Sequence, residues 1–376
     1  MSIYPEEVPP EPDRTEGALH PRFTEQVFGH AAAEADFMAA ATSGRLHHAW
    51  LLTGPRGVGK ATLAWRMARF LLATPPDTND DALLAAPTSN IPDIPTGHPV
   101  ARRLRALSEP GLMLLRRPWD EKRKRLRAEI TVDEVRRLKD FFALSVTDGG
   151  RRVVLIDAAD EMNKNAANAV LKVLEEPPAN AVLLLVAHQP SCLLPTIRSR
   201  CRGLHLSRLG PADLHIALAQ AGVEAADGGL AELAEGSVGA AVRLAALDGV
   251  ALYGDLLALL ATLPRLDRSR VITLAEKATA REAEAEFDLT LTLFDRLMAR
   301  LALVGTTGRL PPEILPGEGE ILARLAPDPP TGRAWADLAQ GLTARVRRGR
   351  AVNLDPAALI LDMCLSLDQM VARLPA

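Results

Sequence analysis

Short apolar runs alternate with helix-period stretches from Ala49 to about Leu206. HAWLLTG reads as a buried strand entering a glycine turn, and residues 60–72 read as the helix that follows, stopped by Pro75 and Pro76. LMLLR at 112–116, RRVVLID ending at Asp157, AVLLLVA at 181–187 and the tail of IRSRCRGLHL supply further strands, with a helix over 165–176 ahead of Pro177 and Pro178. Thr131 and Glu134 make a T-x-x-E capping box at the start of another helix. All-apolar strands separated by helices predict a parallel sheet covered on both faces. Past Leu206 the strand signal stops. A small helical unit is expected over 207–264 and a second helical domain over 265–376, with a Gly/Pro-rich break near 305–332. The last helix is announced by Asp355 as N-cap and Pro356 in its first turn.

The segments outside this pattern are polar. Residues 1–20, acidic and proline-rich with no apolar core, are expected to be a disordered tail rather than a signal peptide. Residues 75–130 are expected to be an irregular insertion that ends in a basic run, RRPWDEKRKRLR at 116–127. That run reads either as a solvated loop or as a DNA-facing one.

Composition adds limits. Hydrophobic residues make up 48% and charged residues 24%, with a net charge of −3, so any nucleic-acid contact has to be local. The three cysteines, Cys192, Cys201 and Cys364, form no C-x-x-C pair, so neither a zinc site nor a disulfide framework is expected. A reducing, cytoplasmic setting is the simplest reading, and no apolar stretch is long enough to span a bilayer.

The chemistry concentrates in GPRGVGKAT, residues 54–62. A glycine loop between strand and helix can wrap phosphate oxygens with backbone N–H groups, and Lys60 can reach the outer phosphates. The position that would supply a hydroxyl to magnesium holds Ala61, and Thr62 is one residue, about 100° of helix, late. Asp157, at the end of a buried strand, is the magnesium-holding candidate; the next residue is Ala158, not a glutamate. Asp160 and Glu161 read as surface or helix-start residues. Gly54, Gly57, Gly59, Lys60, Thr62 and Asp157 are therefore the candidate nucleotide-binding residues of a degenerate site. Arg200, within SRC at 199–201, reads by itself as a surface charge or an internal ion pair.

HHAWLLTGPRGVGKATLA, LIDAADEMNKNAANAVLKVLEEPP and LLPTIRSRC occur in that order, together with an upstream FGH at 28–30. They resemble the delta-prime family of bacterial DNA polymerase III clamp-loader subunits, AAA+ proteins related to gamma/tau. The resemblance is strong over 21–206 and weaker beyond. It implies an AAA+ P-loop parallel-sheet domain at 21–206, a helical lid at 207–264 and an all-α collar at 265–376. It also implies gamma/tau and delta as partners in a hetero-pentamer acting on a sliding clamp and primed DNA. Arg200 becomes an arginine finger offered in trans to a neighbouring ATP site. Relatives that hydrolyse ATP carry Ser or Thr at the place of Ala61, Glu at Ala158, a sensing threonine near AHQ at 187–189 and a lid arginine where GSVG places Gly239. Four departures imply a subunit without ATPase activity of its own, binding ATP or ADP weakly if at all, with no cofactor required; polymerase activity would belong to the complex. The competing reading is a self-sufficient gamma/tau-type ATPase.

Overall fold

The computed structural model describes residues 10–15, 17–74, 90–143, 150–223, 228–277 and 284–373. The chain divides into two compact units, one formed by 1–224 with 235–242 and the other by 225–234 with 243–376.

The first unit runs α1 (Ala31–Thr42), β1 (Ala49–Thr53), α2 (Lys60–Ala73), α3 (Pro99–Arg105), β2 (Leu112–Leu115), β3 (Trp119–Asp120), β4 (Arg125–Leu126), α4 (Val132–Ala143), β5 (Arg152–Asp157), α5 (Lys164–Glu175), β6 (Ala181–Ala187), α6 (Pro195–Arg198), β7 (Arg202–His205) and α7 (Pro211–Gln220). Five strands form one sheet in the order β2-β5-β6-β1-β7, every neighbouring pair parallel. β6 is buried at all seven positions, as a central strand covered on both faces must be. Alternate strand residues, among them Leu51, Leu115, Val154, Ile156, Leu183 and Leu185, pack with Val135 and Leu138 of α4 and Val170 and Leu174 of α5. On the other face Phe37 of α1 sets its ring edge-on to Trp50 of β1 and Phe70 of α2. Both tryptophans of this layer, Trp50 and Trp65, are fully buried, and each contributes on the order of 2–3 kcal/mol by area.

The predicted strand and helix limits fall within a residue or so of those observed for β1, α2, β2, β5, α5 and β6. Three segments depart from the sequence reading. The tail expected to be disordered is, from Pro10 onward, tied to the body: Glu11 pairs with Arg22 at 2.6 Å and Arg116 at 3.1 Å, while Asp13 pairs with His20 at 2.9 Å and Arg116 at 2.5 Å. Acidic groups that find buried cations hold the segment without apolar content, so composition does not register it. Within the expected irregular insertion, residues 75–89 lie outside the described residues, but the remainder contains α3, β2 and the β3–β4 hairpin. Residues 207–264 are shared between the two units rather than forming one of their own. Glu134 pairs with Arg137 at 2.9 Å, one turn on from the predicted box.

The second unit is helical: α8 (Gly228–Ala234), α9 (Val238–Ala246, whose first turn belongs to the first unit), α10 (Gly249–Ala261), α11 (Arg268–Lys277), α12 (Glu284–Thr307), α13 (Glu318–Leu325), α14 (Pro329–Ala351) and α15 (Pro356–Val371). The two longest, α12 and α14, meet at Gly305 and Gly332, where a Cβ on Gly305 would lie 2.6 Å from the Gly332 Cα. Glu318, fully buried, accepts from Tyr253 at 2.5 Å, Arg300 at 2.7 Å and the Ile314 N–H at 2.7 Å. Asp355 caps α15 through the Ala357 N–H, as its sequence predicts. Among the described residues no single helix is long and apolar enough to cross a membrane.

Candidate functional site: a phosphate loop closed by a lid segment

The C-terminal ends of β1 and β5 bring Gly54–Gly59 and Asp157 to one edge of the sheet. Three loop glycines have positive φ: Gly54 at 137°, Gly57 at 74° and Gly59 at 105°. Gly54 is also fixed by space, since a Cβ there would sit 2.1 Å from the Leu206 carbonyl oxygen. His30, in the upstream FGH, donates from Nε2 to the Val58 carbonyl at 2.7 Å and braces the loop from outside.

Lys60 is 3% exposed. Its ammonium donates to the Gly54 carbonyl at 2.7 Å and the Pro55 carbonyl at 2.5 Å, so it turns back on its own loop. Burial lowers its pKa to about 8, partly opposed by Asp157 and Asp160. Asp157 goes the other way. Burial raises it to about 7, the negative charges of Asp13, Glu161 and Asp160 add to the rise, and Lys60 opposes it. The carboxyl at the end of β5 therefore holds its proton far more strongly than an ordinary aspartate. Ala61 and Thr62 open α2 half-buried, and Ala61 has no hydroxyl to give. Ala158 is 2% exposed, so the place of a water-orienting carboxylate is filled by a methyl group.

Asp160 and Glu161, expected as surface or helix-start residues, lie in a short 3-10 turn at 159–161 and are half-buried with partners of their own. Asp160 accepts from the backbone N–H of His188 at 3.1 Å and of Gln189 at 2.8 Å, holding the end of β6 where a sensing threonine was sought. Glu161 bridges Arg56 of the loop at 3.1 Å and Arg117 at 2.8 Å. Asp13, its side chain wholly buried, is a further member that local pattern could not reveal. Burial pushes its pKa up, but the hydrogen bond and charge of His20 and the Arg116 guanidinium outweigh this and hold it low.

The 235–242 segment lies directly on the loop. Gly239 N–H donates to the Gly57 carbonyl at 3.0 Å, and Ser237 Oγ donates to the Arg56 carbonyl at 2.9 Å. A Cβ on Gly57 would meet Ser237 Oγ at 2.4 Å, and one on Gly239 would meet the Gly57 Cα at 2.9 Å. The position that would carry a lid arginine thus touches the phosphate loop backbone to backbone, with no room for a side chain.

Arg200 is placed elsewhere. It precedes β7, whose Arg202 aligns with Trp50 at the start of β1. Arg200 therefore lies at the edge of the sheet opposite the phosphate loop. The five residues of β1, at about 3.3 Å each, put roughly 16 Å along the strand between its two ends. Its guanidinium pairs with Glu175 at 2.9 Å and donates to the Thr196 carbonyl at 3.0 Å, and the side chain is 36% exposed. Of the expected site residues, the structure unites Gly54, Gly57, Gly59, Lys60 and Asp157 and separates Arg200 from them. Among the described residues no cluster of three or more His, Cys, Asp or Glu side chains could hold a metal ion.

Residues 29–210 match the family described as DNA polymerase III, delta subunit. A relative from Pseudomonas aeruginosa named DNA polymerase III subunit delta' is 42% identical over 161 residues, 41% of each chain. Over these residues the chain is similar to subunits of DNA polymerase III named delta'. The Escherichia coli subunit delta' is 32% identical over 166 residues, 44% of each chain, and the Escherichia coli subunit tau is 30% identical over 289 residues, covering 69% of this chain and 41% of tau. The chain spans less than half the length of these curated relatives. A solved gamma subunit-related protein of Thermotoga maritima covers 90% of this chain and 99% of its own at 17% identity and a TM-score of 0.43. That score carries no argument, and the fold assignment rests on the sheet order and the family match.

Proposed function

We propose that this chain is a delta-prime-type, non-hydrolysing clamp-loader subunit, acting with gamma/tau and delta subunits to place a sliding clamp on primed DNA. In this reading it lends Arg200 to a neighbouring gamma/tau ATP site. The observation that carries the proposal is the position of Arg200. A half-exposed guanidinium at the opposite end of the strands from its own loop is placed away from Lys60 and open to solvent, which supports a role toward another chain. Its present partner does not detain it. A half-exposed ion pair such as Arg200–Glu175 is worth about 0.2–1 kcal/mol. An arginine finger lowers a phosphoryl-transfer barrier by about 4 kcal/mol or more, the equivalent of 10³ in rate.

The chain's own loop supports the non-hydrolysing half of the reading. Ala61 offers magnesium no hydroxyl, Ala158 offers water no carboxylate, and Gly239 fills the arginine's place with backbone contact. Lys60 is turned back onto the loop carbonyls of Gly54 and Pro55, and weak ATP or ADP binding in this reading would require it to release them.

The test is clamp- and DNA-stimulated ATP hydrolysis by the reconstituted loader with wild-type chain or Arg200→Ala. The expected result is loss of one site's contribution, with assembly unchanged by size-exclusion chromatography. Unchanged hydrolysis in an intact assembly would reduce Arg200 to a structural ion-pair partner. ATP turnover by the purified chain alone would instead support the gamma/tau-type motor.

A further inference from the structure

The basic run at 116–127 touches the site described above only through Arg116 and Arg117, although it carries seven cations and two carboxylates in a chain of net charge −3. Most of that charge has local work. Arg116 holds Glu11 and Asp13, Arg117 holds Glu161, Lys124 pairs with Glu121 at 3.2 Å, and Arg127 lies 3.7 Å from Asp120. Lys122, Arg123 and Arg125 remain exposed and have no carboxylate within ion-pair distance among the described residues.

The run is not a loose loop. β3 and β4 pair antiparallel, Trp119 with Leu126 and Asp120 with Arg125, and the Arg127 N–H extends the ladder to the Pro118 carbonyl at 2.9 Å. Alternation across a strand then sorts the residues. Trp119 and Leu126, both half-buried, share one face; Asp120, Arg125 and Arg127 share the other. At the tip the Asp120 carboxylate accepts from the Lys122 and Arg123 N–H groups, each at 3.1 Å, which fixes the turn that presents their side chains. The root is anchored through Arg117 and Glu161 to Arg56. A rigid, anchored hairpin thus presents three uncommitted cations to solvent. Seven cations against two carboxylates leave the hairpin strongly positive, which fits a polyanion.

We propose that the β3–β4 hairpin is a contact for the phosphate backbone of DNA, made by Lys122, Arg123 and Arg125 without reading sequence. This surface is separate from Arg200 and does not depend on that residue's role. Three phosphate contacts predict a log–log salt slope of about −2.7 from the hairpin, so wild-type affinity falls ~40-fold further than a hairpin-neutralised variant's between about 50 and 200 mM salt.

The experiment uses the full chain alone, without nucleotide. Anisotropy of a labelled primed duplex, and of single-stranded and fully duplex oligonucleotides of unrelated sequences, is followed against salt. The variants are Lys122→Gln/Arg123→Gln/Arg125→Gln and a control, Arg347→Gln/Arg348→Gln, which removes two exposed cations of the second unit. Thermal melts confirm folding. The expected result is a flattened slope for the hairpin variant and an unchanged slope for the control on every DNA form bound. Equal slopes for wild type and hairpin variant, no wild-type binding at about 50 mM salt, or equal flattening by the control would each overturn the proposal. Displacement of DNA by polyglutamate, charge for charge, would overturn it in favour of an acidic polypeptide.

Discussion

Replacing Asp157 by Asn should make the protein more stable at alkaline pH, although it removes a residue of the phosphate site. The carboxyl is buried and surrounded by Asp13, Asp160 and Glu161, with Lys60 the opposing cation, and its pKa is raised from 3.8 to about 7. The unfolded chain releases this proton near 3.8 and the native chain near 7, so native stability falls as pH rises between them. A gap of about three pH units corresponds to roughly 4 kcal/mol, fully expressed only above pH 7. Between about pH 5 and 8 the wild type should lose ~2–3 kcal/mol that the asparagine variant retains, because a neutral amide resembles the protonated acid in shape. Urea unfolding followed through the buried tryptophans of the first unit measures this. With a slope of about 3 kcal/mol per molar, the two midpoints should diverge by up to roughly 1 M from acid to alkaline buffer. Groups common to both proteins cancel in the difference. Parallel pH profiles would mean that Asp157 titrates normally, and the account of burial and crowding at this edge of the sheet would be wrong.

Other expectations concern packing and pairs. Gly54→Ala places a methyl group 2.1 Å from the Leu206 carbonyl at a φ of 137°; the strand and loop must part, and a loss of at least 3 kcal/mol or failure to accumulate folded protein is expected in a melt. Glu318→Ala strands Arg300, Tyr253 and the Ile314 N–H inside the second unit, and denaturant midpoints should report a loss of about 3–5 kcal/mol. Glu175→Gln releases Arg200 from an exposed pair, so stability should move by less than about 1 kcal/mol while loader hydrolysis is maintained; a loss like that of Arg200→Ala would show that the pair positions the arginine. Ala61→Ser with Ala158→Glu should leave the isolated chain without turnover, measured by phosphate release, because Gly239 still occupies the arginine's place.

The sheet was legible because its information is local. AVLLLVA is buried from end to end and GPRGVG is punctuated by glycines that φ demands, so periodicity and turn chemistry place β6, β1 and the loop within a residue. The site residues in those elements came with them. What escaped depends on partners distant in sequence. Asp13 is held by Arg116, Glu161 by Arg56 and Arg117, and Asp160 by N–H groups at 188 and 189. The hairpin was hidden for a different reason. Its strands are two residues long and mostly charged, and the tip is set by one aspartate rather than by a glycine turn.

The contact between Gly57 and Gly239 also bears on what either position can accept. Each glycine occupies the space that a side chain on the other would need. A single substitution restoring an arginine at 239 would collide with the loop before it could meet a phosphate. An arginine at 239 would need the 235–242 segment to lift from the loop, so the two glycines constrain each other: neither can gain a side chain unless the other's backbone moves.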